Sequence, residues 1–189
     1  MVLSDDVIEQ KNREFKGKYF LMDNALSNLF NSMKGNKRIE EVLIKVTALD
    51  SLYSTNINSY KKLKAISEVI CETNNIDVLI GGGEKKAVKI IGQTREWMDN
   101  AFVFASKYCS FHQPEKFLIF DSYSWLALRT ICDELGIDHK LKSNPTMDFD
   151  AYKNYCDCVN SLITKCDLSS GYKKIDEFLW LKGKELLKK

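Results

Sequence analysis

Asp121 is the residue of this chain best placed to do chemistry. It follows a short apolar run, Phe117-Leu118-Ile119-Phe120, and precedes a stretch in which Trp125, Leu128, Cys132 and Leu135 recur at helical spacing as far as Gly136. A carboxylate is thereby set at the start of a helix, directly after a run that should be buried. Aspartate is a preferred N-cap because its oxygens accept from the free N–H groups there, and capping alone would explain it. A second role is compatible with the first. A carboxylate held by helix N–H groups stays ionised and fixed in direction, and such a group can stabilise the positive charge that develops as a glycosidic bond breaks.

Other polar residues offer less. Asp50 falls near a helix C-terminus, where the dipole disfavours a carboxylate, so it is exposed, paired with a lysine, or functional. Ser54-Thr55-Asn56-Ile57-Asn58 reads as a polar turn that caps the next helix. Gly81-Gly82-Gly83 precedes a lysine-bearing segment and could cradle a phosphate. The Gly-Lys-Ser/Thr of a nucleotide P-loop is missing, and a flexible linker is the reading adopted. His112 and His139 are the only histidines and lie far apart in sequence, which does not suit a metal site. The six cysteines, Cys71, Cys109, Cys132, Cys156, Cys158 and Cys166, lack Cys-x-x-Cys spacing. Most fall at apolar helical positions as small hydrophobes, and a reducing, cytoplasmic location is expected.

Helices must position these groups. Periodicity predicts them over residues 5–34, 36–53, 59–72, 84–91, 97–110, 122–135, 149–166 and 171–187, with residues 78–80 either a short helix or a strand. On the second helix the expected core stripe is Ile39, Leu43, Val46, Leu49 and Leu52. Residues 101–105 leave no polar face, so that helix should be buried. The chain has 189 residues, enough for one sizeable core or two small lobes. No apolar run approaches a membrane span, and the polar, acidic residues 1–14 do not form a signal peptide. A net charge of only +2 does not announce a nucleic-acid binder. Arginine occurs only at Arg13, Arg38, Arg95 and Arg129; the remaining cations are lysines, which suit diffuse phosphate contact.

The order apolar helix, loop, Phe-Leu-Ile-Phe-Asp-Ser-Tyr, apolar helix resembles the catalytic region of the helix–hairpin–helix DNA glycosylases. In that family an aspartate sits at a helix start after a short hydrophobic run, and Phe120-Asp121-Ser122-Tyr123 match the position. Residues 46–58 resemble the family's helix that ends in a polar, Gln- or Asn-bearing loop, and the likeness spans residues 36–135. The family's Leu-Pro-Gly-Val-Gly hairpin finds its nearest counterpart in Gly92-Gln93-Thr94-Arg95. Lys107 lies closer to Asp121 than the nucleophilic lysine of bifunctional members does.

The resemblance implies an all-α protein of about eight helices in two lobes with a cleft between them. Residues 36–135 would be the catalytic core, and residues 1–35 and 136–189 would pack together as the second lobe. It implies a monomeric, cytoplasmic, monofunctional DNA glycosylase whose partner is DNA. Asp121 would be the catalytic carboxylate, with Tyr53, Tyr123, Trp125 and Asp50 around the extruded base. Asn56 and Ile57 would fill the gap left in the duplex, and Lys107 and His112 would touch DNA. No cofactor is expected, because the iron–sulfur cysteine run of some members is missing. The substrate would be a damaged base, or a hypermodified base of invading phage DNA. The alternative is a non-catalytic helical module of a defence system that binds DNA or protein.

Overall fold

The computed structural model describes residues 3–57, 59–94 and 101–188. Among them every regular element is helical and no strand occurs: α1 (Asp5–Ser32), α2 (Ile39–Tyr53), α3 (Tyr60–Glu72), α4 (Ile76–Gly82), α5 (Lys85–Gly92), α6 (Ala101–His112), α7 (Ser122–Leu135), α8 (Phe149–Cys166) and α9 (Tyr172–Leu186). The all-α class is therefore as expected. The ninth helix is α4, in the segment that periodicity left between helix and strand. No described helix is long and apolar enough to cross a membrane.

The chain divides into two compact units, one of Met1–Phe20 with Leu118–Lys189 and the other of Leu21–Phe117. In the second unit α6 is the buried centre, with Val103, Phe104, Ala105, Tyr108 and Cys109 all buried. Burying a Phe or Leu side chain contributes about 1.5–3 kcal/mol, so a helix without a polar face settles at a core. On α2 the buried stripe is Val42, Lys45, Val46 and Leu49, whereas Ile39 and Leu52 are exposed. The expected stripe is thus rotated about the helix. So many positions of α2 are apolar that periodicity alone does not select the face, and Lys45, described below, decides it.

In the first unit α7 packs against both α8 and α9. Trp125, Leu128, Ile131 and Cys132 of α7, Tyr152, Tyr155 and Val159 of α8, and Phe178 and Leu179 of α9 are all buried. Gly183 allows the closest approach. A Cβ built there would lie 2.1 Å from the Tyr123 carbonyl oxygen, so only glycine lets α9 rest on the first turn of α7. The start of α1 joins the same unit through Asp5, which accepts from Ser169 N at 2.9 Å, Ser169 Oγ at 2.8 Å and Ser170 N at 2.9 Å. The Ser170 side chain and then the Ser169 bonds hold the Asp5 carboxyl well below the usual carboxylate range.

Candidate active site

Residues 118–120 run without regular secondary structure into α7, and all three are buried. The Ile119 N–H donates to Asp176 Oδ2 of α9 at 2.8 Å, fixing the backbone of the run. The Phe120 ring packs against Trp125 and Tyr155, with centroids 5.9 and 5.6 Å away. Asp121 then occupies the N-cap of α7 with extended backbone, and its Oδ1 accepts from Ser124 N at 2.9 Å. It is 6 % exposed. The capping geometry read from sequence is therefore present, on a carboxylate held in one direction by the helix.

The surroundings of Asp121 are polar and incompletely paired. Asp176 Oδ1 is buried without a hydrogen-bond partner, and the buried hydroxyls of Ser124 and Tyr155 make no well-formed hydrogen bond, though they lie close enough to act on each other. Burial drives the Asp176 carboxyl well above the carboxylate range; the charges of Asp121 and Glu177 add to this, and the Ile119 N–H and Lys173 oppose it. Burial likewise raises the Tyr155 phenol, with Asp176 and Asp121 adding to the effect. The Asp176 carboxyl thus holds its proton more tightly than an ordinary carboxyl and lies within electrostatic reach of the capping carboxylate.

Next to Asp121 along α7, Tyr123 enters a half-buried group of rings. Trp180 lies 6.1 Å from Tyr123 and 4.8 Å from Tyr19, both edge-on, and 5.8 Å from Phe15. The Lys184 ammonium stands 4.1 Å from the Trp180 centroid, 5.2 Å from that of Tyr19 and 5.9 Å from that of Tyr123. Tyr123 was anticipated; Tyr19, Trp180 and Lys184 were not. The spacing of Trp180 and Lys184, four residues apart on one helix face, was the available signal. Trp125, expected beside the base, is a core residue instead. It is 4 % exposed, its ring runs nearly parallel to that of Tyr155, and its Nε1 donates to the Lys142 carbonyl at 2.9 Å. Four residues on from Asp121, it falls on the inward stripe of α7.

The other expected site residues belong to the second unit. Asp50 organises the loop after α2: its Oδ1 accepts from Thr55 Oγ1 at 2.5 Å and from Ile57 N at 3.0 Å. Asn56 is exposed at the tip in the left-handed conformation, with φ of 60°. Ile57 is buried, not displayed beside it, so it anchors the loop and is not free to enter a duplex. Ser59 takes the N-cap position of α3 without a side-chain capping bond, and Asn58 lies outside the described residues. Tyr53 Oη donates to Asp23 Oδ1 at 2.9 Å, and the buried Lys107 places its ammonium 5.5 Å from the Tyr53 ring centroid.

His112, expected to touch DNA, packs among aromatic rings beside a buried lysine. It lies 4.9 Å from the Phe30 ring and 3.2 Å from Lys45 Nζ. Burial and then the Lys45 charge pull it down to about 3, so it is neutral near pH 7. Lys45 itself went unnoticed in the sequence. Fully buried, it donates to the carbonyls of Met33 and Gly35, both at 2.9 Å, and to Asn36 Oδ1 at 2.8 Å. It thereby satisfies carbonyls just beyond the C-terminus of α1, where a cation is favoured. Burial lowers its pKa to about 8, with Asp77 and Glu41 opposing. Among the described residues no group of three or more His, Cys, Asp or Glu is placed to hold a metal ion.

Residues 5–116 match the HI_0787_N family, described as an N-terminal domain. The chain belongs to that family. No curated protein matches the chain, and no solved structure does. The HI_0787_N match spans α1–α6 and stops one residue short of the boundary between the two units. Asp121, Asp176, Tyr123 and Trp180 lie beyond it.

Within the HI_0787_N region α4 and α5 form a tight helical hairpin. Gly81 and Gly82 belong to α4, and Gly83 turns the chain at φ of 75°, its N–H reaching Ile80 O at 3.0 Å. Glu84 N–H closes the turn on Leu79 O at 2.9 Å, and α5 starts at once. The three glycines are therefore a helix end and its left-handed cap, not a flexible linker. Asn36 Nδ2 donates to Asp77 Oδ1 at 2.7 Å, tying α4 to the connection between α1 and α2. α5 buries Ala87, Val88 and Ile91 and exposes Lys86 and Lys89. In its first turn the Ala87 N–H donates to the carbonyl of the N-cap residue Glu84 at 2.9 Å. Of the hairpin counterpart sought at 92–95, Gly92 ends α5 and Arg95 lies outside the described residues.

Proposed function

We propose that this protein is a DNA glycosylase that cleaves the N-glycosidic bond of an extruded, damaged or modified base through Asp121. The observation that carries the reading is the Asp121 carboxylate, held at the start of α7 by Ser124 N–H and followed by Tyr123 in a half-buried cluster with Tyr19, Trp180 and Lys184. Aromatic faces stack on an extruded base and offset part of the few kcal/mol that extrusion costs. As the bond between C1′ and the base nitrogen breaks, its electron pair leaves with the base and C1′ gains oxocarbenium character. A fixed carboxylate stabilises that charge more in the transition state than in the ground state. Water then adds to C1′ and releases a proton, leaving an abasic site. Lys107, directed at the Tyr53 ring, is given no covalent role, and the reading is monofunctional. The exposed Lys86 and the adjacent Lys85, at the start of α5, are the residues of this region proposed to meet a backbone phosphate.

Asp121→Asn tests this reading. Asparagine also caps helices, so the variant should fold. Its excision from a panel of modified duplexes, read as alkali-labile sites, should fall about 100-fold or more. Unchanged excision by the folded variant would remove Asp121 from the chemistry. One observation favours a second reading, a non-catalytic DNA- or protein-binding module: Asp121 is 6 % exposed and already satisfied as a cap. On that reading wild-type protein releases no base from any duplex of the panel.

A further inference from the structure

Two cysteines that sequence spacing left unrelated are neighbours in space. Cys132 of α7 and Cys158 of α8 hold their sulfurs 3.1 Å apart, 26 positions apart in the chain. Both are buried, and both are free thiols. A disulfide needs the sulfurs at about 2.05 Å, so a shift of about 1 Å, shared by two side chains, would join them.

We propose that Cys132 and Cys158 form a reversible intramolecular disulfide, a redox modification site that pins α7 to α8 when peroxide is present. In the contact one thiol donates to the other sulfur. That bond holds Cys132 below the usual thiol range, and the same bond, burial and the neighbouring charge push Cys158 up. With Cys132 as the nucleophile, Cys158 in contact with it is the resolving thiol. The Cys132 thiolate attacks one oxygen of hydrogen peroxide; the O–O bond breaks, the departing hydroxide takes a proton, and a sulfenic acid remains. Cys158 sulfur then attacks Cys132 sulfur, the S–O bond breaks, and the second oxygen leaves as water with the Cys158 proton. Two thiols have lost two electrons, and one peroxide has become two waters.

Burial sets the selectivity. A bulky disulfide oxidant has no ready path to sulfurs that are 0 % and 4 % exposed as residues, whereas peroxide is close to water in size. Because the resolving thiol is already in contact, ring closure outruns further oxidation of the sulfenic acid. The half-exposed Cys71 and Cys166 have no sulfur partner of this kind among the described residues. The bond would close a loop carrying the whole 136–148 connection.

The test is peroxide treatment of the folded, full-length protein, followed by alkylation and mass spectrometry of non-reduced peptides. The expected product has lost two of its six thiols, shows a Cys132–Cys158 cross-link and no other, and regains both thiols with dithiothreitol. Its melting temperature should rise by about 5–10 °C, from constraint of the unfolded chain. Cys158→Ala, which removes the resolving sulfur, should leave Cys132 as a sulfenic acid that dimedone traps; the wild-type experiment stands even if this variant folds poorly. Retention of both thiols while Cys166 is fully oxidised would overturn the proposal. So would a cross-link that forms only in urea, or one that joins either cysteine to a different partner. The outcome does not depend on glycosylase activity.

Discussion

Asp121 was legible at the level of single residues because its signal is local: an apolar run before it, a helical stripe after it, and a side chain suited to capping. Asp176 was not. On α9 it reads as an acidic residue near a helix start, favourable to the dipole, and only the fold shows it buried beneath Ile119 N–H. Its raised pKa makes a prediction with a definite sign. The carboxyl holds its proton to higher pH in the native state than when unfolded, so between the two ranges the native state binds more protons and stability falls as pH rises. Asp176→Asn keeps an oxygen for Ile119 N–H and removes the titration. Urea unfolding at pH 5 and pH 8 should show the variant gaining on wild type at the higher pH. Parallel profiles would mean that Asp176 is ionised in the fold. Lys45 failed to stand out for a related reason. A lysine on a helix reads as solvated, and its acceptors, Met33 O and Gly35 O, are backbone groups that any sequence carries.

Among the elements, the helices themselves were readable and their faces less so. The loop after α2 shows the limit. Its polar composition was plain, but the division of labour inside it, Asn56 outward and Ile57 inward, comes from Asp50 pulling Ile57 N–H back at 3.0 Å. The two substitutions should therefore behave differently. Asn56→Gly removes the side chain without strain, because glycine accepts the left-handed backbone; stability should change by less than about 0.5 kcal/mol. If Asn56 fills the gap left by an extruded base, excision from duplex DNA should fall while excision from single strands is spared. Equal loss on both substrates would make the tip structural. Ile57→Ala should cost about 2–5 kcal/mol of stability and treat both substrates alike. The contact between α7 and α9 is a second element-scale device. Gly183→Ala gains about 1 kcal/mol of helix propensity yet drives a Cβ into the Tyr123 backbone. Overpacking costs typically 1–3 kcal/mol, and more where backbone must move. Net destabilisation in urea unfolding, with loss of excision beyond the loss of folded protein, is expected; a variant as stable and active as wild type would show slack between the helices.

For the whole molecule, the all-α class followed from periodicity, but the placement of the hairpin did not. Glycines in sequence at 81–83 argue against helix on propensity, and tertiary support overrides that: Asp77 is tied to Asn36 and Lys116 Nζ reaches Gly81 O at 2.5 Å. The proposed DNA role sets a condition on the charge. With a net charge of +2 the molecule has no bulk attraction for DNA, so any affinity must come from a few local contacts. Each phosphate contact contributes a slope of about −0.9 to log K against log salt on duplex DNA. If a backbone phosphate sits at the start of α5, replacing Lys85 and Lys86 by alanine should weaken duplex binding uniformly across sequences. The salt slope should become shallower by about 1 to 2. Single-turnover excision at saturating protein should stay within about twofold, because neither lysine is given a part in bond cleavage. An unchanged slope in the double variant would take the hairpin out of the DNA interface, and the affinity would then have to reside in lysines of the other helices.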